Sequence, residues 1–165
     1  MLKKKFNNIG VIDLFCGVGG LSHGMYNKGF NILGGYDIDK SCKYAFEKNN
    51  KSSFFGDDVT VITGETLKKL YGNTQIKILA GCAPCQPFSS YNKMKEKDSA
   101  KYDLLYEFGR LVEESNPDII TMENVAQIVS FKDKPVLTDF VEKLYLLGYK
   151  VTYQIIYCPD YGIPQ

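Results

Sequence analysis

Two cysteines three residues apart stand on a short stretch that follows an apolar run. Cys82 and Cys85 belong to the sequence Cys-Ala-Pro-Cys-Gln-Pro-Phe-Ser, directly after the run Gln75 to Ala80. Prolines interrupt regular secondary structure, so this stretch is predicted to be a loop at the end of a strand. A thiol in such a loop can act as half of a redox dithiol, as a zinc ligand or as a nucleophile.

The residues around the pair disfavour the first two chemistries. A redox pair has this spacing beside a β-α-β unit, but Gln-Pro-Phe-Ser breaks the helix whose N-terminus would lower the thiol pKa. Zinc needs further ligands, and only His23 and three scattered cysteines remain. The third chemistry makes Cys85 a nucleophile and Cys82 a small buried residue.

A carboxyl group that could work with Cys85 ends the next predicted strand. Glu123 follows the run Asp118 to Met122 and precedes Asn124. Carbon 5 of cytosine accepts a methyl group only after a thiolate has added to carbon 6 and converted the ring into an enamine. A carboxyl near nitrogen 3 would hold the exocyclic amine and balance the developing charge. A Glu at a strand end is ordinarily a solvated charge or a helix cap, so only its pairing with Cys85 gives it this role.

A glycine-rich turn after the first apolar run is the expected place for a nucleotide-like cofactor. The stretch Asp13-Leu14-Phe15-Cys16-Gly17-Val18-Gly19-Gly20 opens a helix, where glycines let backbone N–H groups approach a ligand closely. Asp37 ends the second strand about 20 residues later, where it could accept from both ribose hydroxyls. Asp39 suits a helix cap better than Asp37 does.

A second acidic residue could read the base of such a cofactor. Asp58, beyond the third strand, could accept from an adenine amino group while Val59 or Phe15 packs on the ring. The alternative for Asp58, a solvated turn, stays open.

The elements that must position these residues alternate along the chain. Strands are predicted at residues 8–15, 31–37, 52–55, 75–80, 118–122 and 151–157. Helices are predicted around residues 21–25, from residue 39 to 49, and at residues 66–71, 102–112 and 137–144. This alternation predicts an α/β fold with a doubly wound, mostly parallel sheet, whose ligands lie at the carboxyl ends of the strands.

Composition limits the class of protein. The chain has 165 residues, of which 44% are hydrophobic and 24% charged, so one domain over residues 1–165 can bury a core. No apolar run approaches the roughly 18 residues of a membrane span and no signal peptide is evident, so we expect no membrane and a cytoplasmic location. The five cysteines are expected to be thiols. A net charge of +1 is low for a protein that grips duplex DNA by itself.

Four motifs, in order, are similar to the signature motifs of the DNA (cytosine-5-)-methyltransferase family. They are Asp-Leu-Phe-Cys-Gly-Val-Gly-Gly, Ala-Pro-Cys-Gln-Pro-Phe-Ser, Met-Glu-Asn-Val and Asp-Tyr-Gly-Ile-Pro-Gln, and the resemblance covers essentially all of residues 9–165. It implies a Rossmann-like, S-adenosylmethionine-dependent methyltransferase fold that is incomplete at its C-terminus. It also implies methyl transfer from S-adenosylmethionine to carbon 5 of a flipped cytosine in double-stranded DNA, in a restriction-modification system, with S-adenosylhomocysteine as product and no metal.

The same resemblance implies roles for individual residues. Cys85 is the covalent nucleophile, Glu123 contacts nitrogen 3 and the amino group of the cytosine, and Asn124 supports the catalytic loop. The DNA contacts that it implies are Gln86, Ser89 and Gln165. The cofactor contacts that it implies are Phe15, Gly17, Gly19, Gly20, Leu21, Asp37, Ile38, Asp58, Val59 and Pro84. Ile38 stands where many members have a larger aromatic residue.

Family members continue past the position that Gln165 occupies in this chain. The continuation carries two arginines, an antiparallel strand beside the sixth strand and a target-recognition domain, so the resemblance implies a C-terminal half or a second chain as partner. We expect the 165-residue chain alone to be catalytically silent and without sequence-specific DNA binding. A non-catalytic subunit of a split enzyme, a tRNA cytosine-5 methyltransferase and a dithiol oxidoreductase stay open as alternatives.

Overall fold

A five-stranded parallel sheet forms the centre of the computed structural model, which describes residues 6–84, 103–130 and 136–163. Its strands are β1 (Phe6–Leu14), β2 (Phe30–Tyr36), β3 (Ser53–Phe55), β4 (Ile76–Gly81) and β5 (Ile119–Met122). The strand order is β3-β2-β1-β4-β5, and every pair is parallel. The chain therefore moves outwards from β1 to one edge and returns to form the other half, which places a crevice between β1 and β4.

Within the described ranges, six helices connect and cover the strands. They are α1 (Gly20–Asn27), α2 (Lys43–Asn50), α3 (Gly64–Tyr71), α4 (Asp103–Ser115), α5 (Gln127–Ser130) and α6 (Val136–Leu146). Single 3-10 turns occur at Lys40–Cys42 and Cys158–Tyr161. In the parts of the chain that the structure describes, no helix has the length and apolar character needed to cross a membrane.

Alternating side chains along the central strands build a core on each face of the sheet. In β1, Val11 lies in one buried cluster, together with Phe46 of α2, whereas Ile12 lies in the other, with Phe108 of α4. All four side chains are fully buried. Because successive side chains of a strand point to opposite faces, helices on both faces are needed to cover these strands. The predicted doubly wound α/β fold is therefore confirmed.

Five of the six predicted strands are confirmed, with ends that differ by one or two residues. The sixth, predicted at residues 151–157, is wrong, because that segment forms no strand pairing with the described chain. A cleft of about 290 Å³ lies between it and the end of β5, lined on one side by Met122, Glu123 and Asn124 and on the other by Tyr153 to Ile156. An extended segment needs a neighbour for its N–H and C=O groups to become part of a sheet. Ile155 and Tyr157 are 70% and 67% exposed instead.

The packing of α4 on α6 gives a test of this core. Phe108 is completely buried, and its ring stacks on that of Phe140 with 5.5 Å between centroids. We predict that Phe108→Ala lowers the free energy of unfolding by about 3–5 kcal/mol, because it removes buried apolar area and leaves a cavity. Urea unfolding followed by circular dichroism measures this. Leu146→Ala on α6 is the control, since Leu146 is 89% exposed and should change stability by less than about 0.5 kcal/mol. Equal effects of the two substitutions would contradict the packing described.

Candidate functional site

The candidate residues lie in one row because the strands end in register. Leu14 pairs with both Tyr36 and Gly81, and Gly81 pairs with Met122. The next residue on each strand therefore stands at the same edge of the sheet, in the spatial order Asp37, Phe15, Cys82 and Glu123. Backbone hydrogen bonds extend the pairing one step further, from Cys82 N–H to the Leu14 carbonyl (3.3 Å) and from Glu123 N–H to the Gly81 carbonyl (3.2 Å).

The glycine-rich turn between β1 and α1 has a backbone that few residues other than glycine adopt. Gly17 and Gly19 have φ values of +50° and +88°, and Phe15 is forced to +55°. A Cβ on Gly19 would lie 2.2 Å from the side-chain nitrogen of Asn50, so glycine is required there by contact as well as by conformation. A Cβ on Gly17 or Gly20 would meet nothing within 4 Å. The turn is thus packed against α2 on one side and leaves open space on the other, where a cofactor could approach its backbone.

Asp37 joins this turn to the end of β2. Its Oδ2 accepts a hydrogen bond from Gly17 N–H and its Oδ1 accepts one from Asp39 N–H, each at 2.8 Å. A carboxylate has about four acceptor positions, so Asp37 can still accept from hydroxyl groups. Asp39 caps the following turn by accepting from Ser41 N–H at 2.9 Å. The prediction that Asp39 rather than Asp37 is the cap is therefore confirmed.

The other cofactor candidates differ in how they face this edge. Ile38 is 68% exposed beside Asp37, whereas the Val59 side chain is 4% exposed and packs into the core. Asp58 accepts from both the N–H and the hydroxyl of Thr60 at 2.9 Å, so it caps a turn and keeps its second oxygen for another donor. Leu21 and Pro84 are half-buried.

Sequence reasoning missed a buried carboxyl group beneath the turn. Asp13, in β1, is completely buried, and its Oδ2 accepts from the Ser22 hydroxyl at 2.6 Å. Its Oδ1 has no hydrogen-bond partner in the described chain. Burial raises the pKa of Asp13 to about 6, and the nearby negative charge of Asp37 adds to this rise. The signal was an acidic residue in the middle of an apolar run, directly before the glycines.

On the other side of the crevice, Asn124 ties the end of β5 to the loop that follows β4. Its side-chain N–H donates to the Ala83 carbonyl at 3.0 Å, and its oxygen accepts from Val125 N–H at 2.9 Å. Glu123, its neighbour, is exposed at the cleft. The structure thus brings the Glu123 carboxyl group next to Cys82 and Ala83, which precede Cys85 in the chain.

Cys82 lies between the two halves of the row and stays protonated. Burial, together with the negative charges of Asp13 and Glu123, raises the pKa of its thiol to about 12. A redox dithiol needs a thiolate near neutral pH, so Cys82 does not suit that chemistry.

Some predicted residues fall outside the described chain. Cys85, Gln86, Ser89 and Gln165 lie outside the described residues, and their roles stay predictions. Within the described ranges, no group of three or more His, Cys, Asp or Glu side chains is arranged to hold a metal ion.

Comparison with known proteins agrees with this geometry. The family model for C-5 cytosine-specific DNA methylase matches residues 9–165. The type II methylase M.HgiDII of Herpetosiphon aurantiacus is 52% identical over 155 residues, which are 94% of this chain and 44% of that protein. The type II methyltransferase M.XorII of Xanthomonas oryzae is 34% identical over 159 residues, which are 93% of this chain and 37% of that protein. The chain therefore spans less than half the length of these relatives.

Solved structures share the fold. A prophage-encoded protein of Escherichia coli, assigned as a DNA modification methyltransferase, is 30% identical with a TM-score of 0.70, and the alignment covers 83% of this chain and 38% of that one. The Entamoeba histolytica methyltransferase EhMeth has a TM-score of 0.68 at 21% identity, and the alignment covers 94% of this chain and 49% of that one. Together with the parallel sheet, these likenesses establish a Rossmann-like methyltransferase fold.

The raised pKa of Asp13 predicts a pH dependence of stability. Because the folded-state pKa of about 6 is above the ordinary value of 3.8, the folded state binds the proton more tightly than the unfolded state. The stabilisation is therefore complete below about pH 4 and is lost as pH rises through about 6. We predict that Asp13→Asn, which resembles the neutral acid, removes this fall. Urea unfolding of both proteins between pH 4.5 and 7.5 tests it, and parallel stability curves would show that Asp13 titrates normally.

Proposed function

This chain belongs to the family of C-5 cytosine-specific DNA methylases, and from that premise we propose that residues 1–165 form the cofactor-binding catalytic domain of a type II DNA (cytosine-5-)-methyltransferase. One structural feature supports this proposal in addition to the family match. The edge of the sheet holds an open glycine turn beside Asp37, which keeps further acceptor positions, on one side. On the other side it holds Glu123, next to Asn124, which binds Ala83 just before Cys85.

The residues of the turn fit S-adenosylmethionine. The space beside Gly17 and Gly20 leaves backbone N–H groups accessible to its amino-acid moiety. The remaining acceptor positions of Asp37 suit the ribose hydroxyls, and the second oxygen of Asp58 suits the adenine amino group. When bound, S-adenosylmethionine supplies the electrophilic methyl group, and S-adenosylhomocysteine remains.

Cys85 and Glu123 would carry the chemistry on the base. The Cys85 thiolate adds to carbon 6 of a flipped cytosine, and the electron pair of the 5,6 double bond then becomes available at carbon 5 to form the bond to the methyl group. Loss of the proton at carbon 5 and of the thiolate restores the aromatic ring. Glu123 hydrogen-bonds nitrogen 3 and the amino group, which stabilises the charge that develops in the ring. Asn124 holds Ala83, two residues before Cys85, beside the end of β5.

The outer side of β5, which pairs with no other strand of the described residues, supports a partner segment. The cleft of about 290 Å³ beside β5 faces a strip of exposed apolar side chains, including Tyr153, Ile155 and Ile156. A further strand from a C-terminal half, or from a second chain, would pair there and cover this surface. We propose that residues 1–165 transfer methyl groups poorly without it. Since the substrate is cellular DNA, the cytoplasm is the proposed location.

Substitution of the two cysteines separates the roles proposed. We predict that Cys85→Ser lowers methyl transfer by at least about a thousandfold, because a serine hydroxyl is a far weaker nucleophile than a thiolate. Cys82→Ala should retain activity within about tenfold, because its protonated thiol takes no part. The assay measures transfer of labelled methyl groups to duplex DNA by the protein expressed from the full open reading frame that encodes this chain. Transfer RNA serves as a second acceptor.

A covalent trap provides an independent readout. DNA with 5-fluorocytosine cannot lose a proton from carbon 5, so the thiol adduct should accumulate as a complex that resists denaturant. We expect it with Cys82→Ala and not with Cys85→Ser. Turnover by Cys85→Ser, or transfer to tRNA in preference to DNA, would overturn the proposed function.

A further inference from the structure

The guanidinium of Arg110, on α4, holds the turn that connects β3 to α3. Its Nη2 donates to the carbonyls of Val59 and Ile62, at 3.1 and 3.0 Å. The turn closes on itself as well, through hydrogen bonds from Val61 N–H to the Asp58 carbonyl and from Ile62 N–H to the Val59 carbonyl. Arg110 thus supplies contacts between this turn and a helix about 50 residues further along the chain.

Two carboxylates of α4 keep the guanidinium in place. Its Nε donates to Glu107 at 2.8 Å and its Nη1 donates to Glu114 at 2.9 Å. Glu114 also accepts from Gly64 N–H at 2.7 Å, at the first residue of α3. Arg110 lowers the pKa of Glu114, so the pair stays charged near neutral pH. All three guanidinium nitrogens therefore have acceptors, and the carboxylates fix the orientation of the group.

The close approach of α3 and α4 makes this arrangement specific to its residues. A Cβ on Gly64 would lie 2.3 Å from the Glu114 Cβ and 2.6 Å from its backbone, so only glycine permits the contact. A planar guanidinium can bind two carboxylates and two carbonyls in one plane, whereas a lysine ammonium has three donors and no fixed plane. Lysine at position 110 would keep the charge but leave some of these acceptors without a donor.

We propose that Arg110 is a positioning residue for the adenine side of the cofactor site. It sets the backbone of residues 58–62, and through it the direction of the Asp58 carboxylate, without touching the cofactor. This inference rests on the proposed function, since it takes Asp58 as the adenine acceptor. It adds a residue on α4, outside the four sequence motifs, to those that determine cofactor affinity.

The test separates cofactor affinity from turnover. The substitutions Arg110→Lys and Arg110→Met are made in the protein expressed from the full open reading frame. Each should raise the KM for S-adenosylmethionine about tenfold, because charge-assisted hydrogen bonds are lost. The kcat at saturating cofactor and the KM for DNA should stay within about twofold. Loss of stability alone would lower the active fraction and hence kcat, but not raise the KM for one substrate. Lys143→Met is the matched control, because it removes the 2.7 Å ion pair between Lys143 of α6 and Glu113 of α4. It should change neither constant.

Hydrogen exchange in the free protein gives the structural half of the test. Amides of residues 58–64 should exchange faster in Arg110→Lys than in the unsubstituted protein and in Lys143→Met. If the unsubstituted protein transfers methyl groups but Arg110→Lys has an unchanged KM for S-adenosylmethionine, the positioning role is overturned and the proposed function stands. If the unsubstituted protein neither binds S-adenosylmethionine nor transfers a methyl group, the proposed function fails, and the cofactor role of Arg110 fails with it.

Discussion

The parallel register of the sheet is the constraint on which the site depends. Because β1, β2, β4 and β5 run in one direction and end opposite each other, the residues that follow them meet at one edge. Neighbouring parallel strands are about 4.8 Å apart, so the glycine turn after β1 and Glu123 after β5 are separated by roughly 10 Å of sheet. In the proposed function, cofactor and base would therefore bind side by side, with the end of β4 between them. A slip of one residue in β4 or β5 would turn these side chains to the wrong face of the sheet.

Backbone conformations and buried charge at this edge cost stability, and nearby hydrogen bonds offset part of the cost. The left-handed backbone of Phe15 is unfavourable for a residue with a side chain. Asp37 compensates by accepting from Gly17 N–H, which fixes the turn to β2. Asp13 lies beneath, and burial keeps its pKa raised even though its carboxylate accepts a hydrogen bond from the Ser22 hydroxyl. The left-handed backbone of Phe15 thus places local strain in the glycine-rich turn that leaves open space for a ligand.

Local patterns in the sequence predicted the strands, the glycine turn and the cap at Asp39, because these depend on neighbouring residues. Residues 151–157 have the apolar composition of a strand. Whether they pair depends on a neighbouring strand, and the composition of the segment does not show whether that neighbour is present. The contacts of Arg110 show the same limit. Its spacing from Glu107 and Glu114 on a helix is readable from the sequence, whereas its donation to the Val59 and Ile62 carbonyls depends on how α4 packs over a distant turn. Likewise, the burial of Asp13 follows from helices on both faces and not from its immediate neighbours.

The surroundings of Cys82 do not favour a thiolate at that position. Cys82 continues the backbone pairing of β4, lies half-buried and is close to the carboxylates of Asp13 and Glu123. A thiolate there would place a third negative charge in a poorly hydrated space, so its proton stays. A neutral sulfur at this point separates the cofactor side from the base side of the edge without adding charge to either. In the proposed function the reactive thiolate is that of Cys85, and Asn124 holds the chain at Ala83, two residues before it.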